Sequence, residues 1–219
     1  MKVTRGAIRL GGGEASLPAN GIWLQGSLPY LDVDHWRELS KAKGSAGEGL
    51  AIDGANLRLG VLDVFGKRFR DMSVNAWRLE GGWQAALESQ EMRGHVNWKS
   101  EGAGKLSGRF KSLSIPPEAP PKLSEPDTAV ESSEYPSLDI IAENFSIRNN
   151  QLGRLELVAA PSGRDWRINK LKLNTPETSL SLDGVWQDWL QQPKSQFNLQ
   201  LETSDIGKLL ARVGHPDSV

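Results

Sequence analysis

Apolar and polar residues alternate with period two along most of this chain. Phe197, Leu199 and Leu201 fall on one face of a segment whose other face carries Gln196, Asn198 and Gln200. Leu57 with Leu59, Leu155 with Leu157, Leu171 with Leu173 and Leu180 with Leu182 follow the same rule, each with polar neighbours in between. Phe145 and Ile147 continue the pattern. Side chains in a strand point alternately to opposite faces, so this spacing predicts antiparallel strands with one apolar and one polar face. Turn signals punctuate the runs at Asp53-Gly54, Gly81-Gly82, Asn149-Asn150, Pro161-Ser162-Gly163 and Asp183-Gly184.

Helical spacing is scarce. One candidate runs from about Asp34 to Lys43, where Asp32 or Asp34 can cap the first turn and Trp36 and Leu39 share a face. A second runs from about Ser204 to Val213, with Asp205 in its first turn, an apolar stripe of Ile206, Leu209, Leu210 and Val213, and Gly214 as a stop. A short third helix is expected around Trp186 to Gln191.

Residues 116–136 interrupt the alternation. They are rich in Pro, Ser and Glu, and bury too little apolar surface to offset their ordering entropy. They are expected to form a disordered linker between a first β unit, residues 1–115, and a second, residues 137–219. The first unit would carry a strand and the 34–43 helix from a preceding repeat. The second would end in the 204–213 helix. The two units look alike. Leu57 and Leu59 match Phe145 and Ile147, Gly66 matches Gly153, Trp83 matches Trp166, Trp98 matches Trp186 and Phe110 falls near Phe197. The strand that runs into an acid-capped helix at Leu31 to Trp36 returns at Leu201 to Ile206.

Charge and composition narrow the function classes. The 219 residues carry 26 Lys and Arg against 27 Asp and Glu, which leaves no basic excess for nucleic acid. There is no cysteine, so disulfides, thiolate metal sites and Cys nucleophiles are excluded. Eight tryptophans against two tyrosines favour positions half in and half out of a core. Residues Met1 to Gly6 show no apolar leader core, and no stretch approaches the ~20 apolar residues of a membrane span. The chain as given is expected to be soluble, either cytoplasmic or cut from a longer anchored protein.

No reactive constellation emerges. His35, His95 and His215 lack metal-ligand spacing. Asp32-Val33-Asp34 resembles a DxD metal motif, but Trp36 and Leu39 follow at helical spacing, so a helix cap explains it better. Gly102-Ala103-Gly104-Lys105 mimics a phosphate loop, yet Leu106 stands where a Ser or Thr must hold magnesium, so it reads as a hairpin turn. No cofactor, metal or catalytic residue is expected.

Several segments resemble one family. Gly21-Ile22-Trp23-Leu24-Gln25-Gly26 followed by Leu31-Asp32-Val33-Asp34-His35-Trp36 is similar to an element of the AsmA-like, YhdP-type envelope proteins, to which TamB is related. So are Pro136-Ser137-Leu138-Asp139-Ile140, Leu152-Gly153-Arg154-Leu155, Trp166-Arg167-Ile168, Asp183-Gly184-Val185-Trp186 and Asp205-Ile206-Gly207-Lys208-Leu209-Leu210. The resemblance covers about Gly21 to Val219, and it rests on order and spacing more than on any one motif. It implies a fragment of the C-terminal half of a long periplasmic protein, anchored in the inner membrane by a segment not contained here. It also implies movement of phospholipid towards the outer membrane, in support of that membrane's barrier function.

Two architectures fit the alternation. In an ordinary β-sandwich or closed barrel the apolar face is filled by its own side chains, and the chain is a scaffold or protein-interaction module without lipid. In an elongated, curved antiparallel sheet of two similar repeat units with short helices at the unit ends, that face lines a trough for acyl chains. Alternation alone favours the filled core; the family resemblance favours the trough. The candidate lipid-facing residues are then Leu57, Leu59, Phe145, Ile147, Leu155, Leu157, Leu171, Leu173, Leu180, Leu182, Phe197, Leu199 and Leu201. The partners are phospholipid acyl chains and neighbouring repeats of the same protein, with no nucleic acid.

Overall fold

The computed structural model describes residues 5–33, 35, 52–64, 66–116, 136–148, 150–163, 165–187 and 194–212. Its strands are β1 Arg5–Leu10, β2 Gly21–Asp32, β3 Gly54–Val64, β4 Lys67–Leu79, β5 Gly82–Glu88, β6 Met92–Lys99, β7 Lys105–Ile115, β8 Ser137–Ile147, β9 Asn150–Ser162, β10 Asp165–Asn174, β11 Thr178–Gln187 and β12 Lys194–Thr203. One helix, α1, spans Ile206–Arg212. The twelve strands form one curved, unclosed sheet in sequence order.

The sheet is mixed, and the parallel pairs fall in an ordered way. Strands β3 to β7 form one antiparallel meander and β8 to β12 another. The meanders meet through a parallel pair, β7 with β8, and β2 joins β3 in the same sense. β1 also lies parallel to β2. A parallel neighbour needs a crossover, whereas a tight turn serves antiparallel neighbours. The parallel steps therefore fall at the long connections, residues 33–53 and 116–136.

The first three strands of the meanders repeat at a spacing different from the 87 to 88 residues that the leucine and glycine matches suggest, whereas β6 and β11 begin 86 residues apart and β7 and β12 begin 89 apart. Gly54, Lys67 and Gly82 open β3, β4 and β5; Ser137, Asn150 and Asp165, each 83 residues later, open β8, β9 and β10. Leu57 and Leu59 thus correspond to Ile140 and Ala142, and Leu62 to Phe145. The period-2 pattern alone cannot fix this, because alternation shifts by one residue between Ala142 and Phe145, so Leu57, which precedes that step on its strand, also matches Phe145, which lies beyond it. The tryptophan matches do agree. Trp83 lies opposite Trp98, and Trp166 opposite Trp186. A Gly–Phe pair also recurs: a Cβ on Gly94 would come within 2.7 Å of the Phe110 ring, and one on Gly184 within 2.5 Å of Phe197.

The helices follow their caps. The Lys208 N–H donates to Asp205 Oδ1 at 2.9 Å, which makes Asp205 the cap of α1 rather than part of its first turn. The His35 N–H donates to Asp32 Oδ1 at 2.9 Å, a contact of helix-cap type; apart from His35, the helix expected at 34–43 lies outside the described residues. The helix expected at Trp186 to Gln191 does not begin there. Trp186 and Gln187 are the last residues of β11, paired with Ser195 and Lys194, and residues 188–193 lie outside the description. The linker at 117–135, Trp36 and His215 are likewise outside it.

Alternation shifts by one residue along a line that crosses the strands. On β3 the buried residues are Leu57 and Leu59, then Leu62; on β4 they are Phe69, then Met72. The step falls at Pro29, Gly60 and Asp71, the three positions skipped between adjacent bridges of the β2–β3–β4 ladder. Asp71 takes the left-handed conformation, with φ of 50°. A matching step crosses β7, β8 and β9: Phe110 gives way to Leu113, a bulge separates Ala142 from Phe145, and Gly153 has φ of 84°. Such irregularities bend strands and increase their twist. Here they keep apolar residues on one face along strands of 11 to 13 residues.

A β-branched residue is strained at positive φ, whereas Gly is not. Asp71→Val should therefore lower the melting temperature by about 2–8 °C, from a strain of about 1–2 kcal/mol in a domain of this size. Asp71→Gly should leave it unchanged or higher. Equal losses in both variants, measured by calorimetry, would show that the side chain matters and the backbone step does not.

Candidate functional site: an apolar track across twelve strands

The inter-strand registers assemble the alternating residues into rows. One row, called A here, runs Leu10, Gly26, Leu57, Val74, Leu87 and Gly94 across β1 to β6. It continues through Phe110, Ala142, Leu155, Leu173, Leu180 and Leu201 across β7 to β12. Row B, beside it, runs Ile8, Leu24, Ala55, Ala76, Ala85 and Val96, then Gly108, Ile140, Leu157, Leu171, Leu182 and Leu199. No polar side chain interrupts either row. At a strand spacing of about 4.8 Å, the rows make an apolar track on the order of 50 Å long.

The track is partly filled and partly open. Leu59, Met72 and Leu155 are 3%, 2% and 5% exposed, although the described structure is one sheet with substantial contacts only between adjacent strands and between α1 and β9. A single layer can bury side chains this deeply only on a face that curves inward. Beyond the step, Leu62, Phe69, Leu113 and Phe145 enter the same buried cluster as Leu57, Phe110 and Ile140. There the sheet narrows at two places, to β2–β3–β4 and to β7–β8–β9 with the first residue of β6, where Met92 pairs with Leu113; β5, β10 and β11 pair only on the near side. The trough thus has one continuous wall and one interrupted lip.

Each candidate residue now has a place. Leu57 and Leu155 lie buried in row A, and Leu59 and Phe145 lie buried beside the step. Leu157, Leu171 and Leu173 are half-buried against the cluster, and Leu180 and Leu182 are half-buried on β11. Ile147, at the end of the lip, is exposed. On β12, Leu199 is 60% exposed, and Phe197 and Leu201 are exposed as well. The sequence pattern ranked these residues equally; burial grades them from the step outwards and towards the last strand. It also missed the alanines and glycines of the rows, Ala55, Ala76, Ala85, Gly26 and Gly108, because small residues carry little hydrophobic signal.

The opposite face is polar and cross-linked by charge. On β9 and β10, Lys170 holds the Glu156 carboxyl below the usual carboxylate range through a hydrogen bond and its charge, with Arg154 and Lys172 assisting. His95 lies on this face of β6, between Ala86 and Arg109. Two hollows of about 390 and 400 Å³ sit along the two steps. Leu28, Leu59 and Met72 line one beside Ser27 and Ser73, and Leu113 and Phe145 line the other beside Ser112, Asn144 and Arg154, so each joins apolar residues of the step to polar neighbours. Near β2, Asp63 is 2% exposed and receives Arg68 Nε and Nη2 at 2.8 and 2.7 Å and the Tyr30 hydroxyl at 2.8 Å. This buried carboxylate ties the first lip together, and it raises the Arg68 pKa. Among the described residues no three His, Asp or Glu side chains converge as metal ligands.

An open, curved β-trough with an apolar interior and a charged exterior is the class of structure these observations define. The YhdP protein family matches the whole chain, residues 1–219, and the chain belongs to that family. This membership points to a cell-envelope protein. No curated protein and no solved structure matches the chain. Among the described residues no helix is long and apolar enough to cross a membrane.

Helix α1 is fastened to the β10–β11 turn by Glu177, which receives Arg212 Nη2 at 3.1 Å and lies 3.7 Å from Lys208 Nζ. Partial burial works to raise the Glu177 pKa, but its own backbone N–H, Arg212 and Lys208 outweigh that and lower it. A carboxylate with a lowered native pKa stabilises fully above its ordinary value, and that stability is lost as pH falls through the native value. Glu177→Gln should therefore reduce the loss of melting temperature on acidification below about pH 4.5. Parallel acid limbs for variant and parent in a pH series of thermal melts would refute this coupling.

Proposed function

We propose that this chain is a non-catalytic segment of a periplasmic protein, anchored in the inner membrane through other parts of its sequence, that conducts phospholipid towards the outer membrane. The observation that carries this reading is the pair of unbroken apolar rows across all twelve strands. An acyl chain in water costs about 0.8 kcal/mol per CH₂, so transfer through an aqueous space needs continuous apolar contact along the path. A row with no polar side chain supplies it without a deep pocket. The half-exposed leucines of β10 and β11 leave surface for a guest. The exposed apolar residues of β12 suit a neighbouring repeat that prolongs the trough. The His35 N–H donated to Asp32 Oδ1 supports the helix-cap reading of Asp32.

The burial of Leu57, Leu59 and Met72 favours a second reading, a scaffold or interaction module whose apolar face is its own core. One experiment separates the two. A photo-reactive residue replaces Leu171 or Leu182 in the full-length protein in its own envelope, and Lys172 serves as the control on the polar face. Phospholipid adducts should form at the two leucine positions at least several-fold more often than at Lys172. Equal yields at all three, or no lipid adduct at any, would favour the scaffold.

A further inference from the structure

Row B differs between the two meanders. In the first it reads Ala55, Ala76, Ala85 and Val96, and in the second Ile140, Leu157, Leu171 and Leu182. The first meander therefore has a shallow floor. Above that floor, two residues further from the step, Arg78 on β4 stands opposite Trp83 on β5, which stands opposite Trp98 on β6. Directly opposed residues share a face, so all three belong to the trough side.

The Trp98 ring is seated on the Gly104 backbone and its Nε1–H donates to Ser100 Oγ at 3.1 Å, which holds it at the rim. Trp83 is half-buried and Arg78 is exposed. Asp53, opposite Arg78 on the other side, turns its carboxylate to β2, where it accepts the Ile22 N–H at 2.8 Å. Among the described residues Arg78 has no ion-pair partner. A lone guanidinium beside two amphipathic rings, over an alanine floor, is complementary to an anionic head with apolar tails.

We propose that Arg78, Trp83 and Trp98 form a headgroup station, where Arg78 binds the phosphate of a phospholipid whose acyl chains lie over Ala76 and Ala85. This deepens the conduit reading and rests on it. The second meander lacks the cation: Trp166 faces Pro161 where Trp83 faces Arg78. Bound lipid would then pause with its head at the first meander and pass the second through tail contacts alone.

The test places a photo-reactive residue at Leu87, one row from Ala85, in the full-length protein. Vesicles containing phosphatidylglycerol or uncharged diacylglycerol supply the lipid, with and without millimolar inorganic phosphate. Arg78→Gln should reduce the phosphatidylglycerol adduct by about tenfold or more, as loss of a charge-assisted hydrogen bond implies. It should leave the diacylglycerol adduct unchanged, Arg78→Lys should restore most of the loss, and inorganic phosphate should not compete. An equal fall for both lipids, no fall for either, or displacement by inorganic phosphate would overturn the station. Adducts at Leu171 but none at Leu87 would overturn it and leave the conduit standing, whereas no adducts at either position would remove both.

Discussion

A single β-sheet has no second layer to shield its apolar face, and the whole structure follows from that constraint. Water would meet Leu59, Met72 and Leu155 directly if the sheet were flat. The strands instead bend at a shared line, and the residues on either side of it bury one another. The bend demands a shift in alternation, because without one the residues beyond it would turn their apolar sides outwards. Gly60 opposite a left-handed Asp71, and the Ala142–Phe145 bulge opposite Gly153, provide that shift at equivalent places in both meanders.

The same constraint explains why the interior is graded. Where lip and wall both exist, side chains fill the space. Where only the wall exists, on β5, β6, β10 and β11, the rows remain half-exposed. A conduit gains from this division. The filled step holds the shape, and the open wall offers replaceable contacts whose individual loss is small. The rim adds chemistry of a different kind, since in the proposed conduit Trp83, Trp98 and Arg78 would mark the boundary between hydrocarbon and water.

Much of the fold was legible in the residues. Period-2 alternation identified the strands, and the order of Trp and Gly revealed a repeat. Asp205 announced the helix at Ile206–Arg212. The spacing of the first three strands was misread because the shift in alternation at the step lets a residue before it match one beyond it. Trp186 and Gln187, where a helix was expected to begin, are strand instead because their partners on β12 extend that far, and local propensity carries no knowledge of partners.

The sequence by itself determined which residues share a face within each strand, because that depends only on the alternating geometry of an extended backbone. Only the tertiary structure decided which strand lies beside which and in what register. Those choices align Ala55 with Ala76 and Ala85, join the meanders in parallel, and turn thirteen similar-looking apolar positions into a buried core, a half-open wall and an exposed edge. Register is set by hydrogen bonds between segments distant along the chain, and no single strand contains that information.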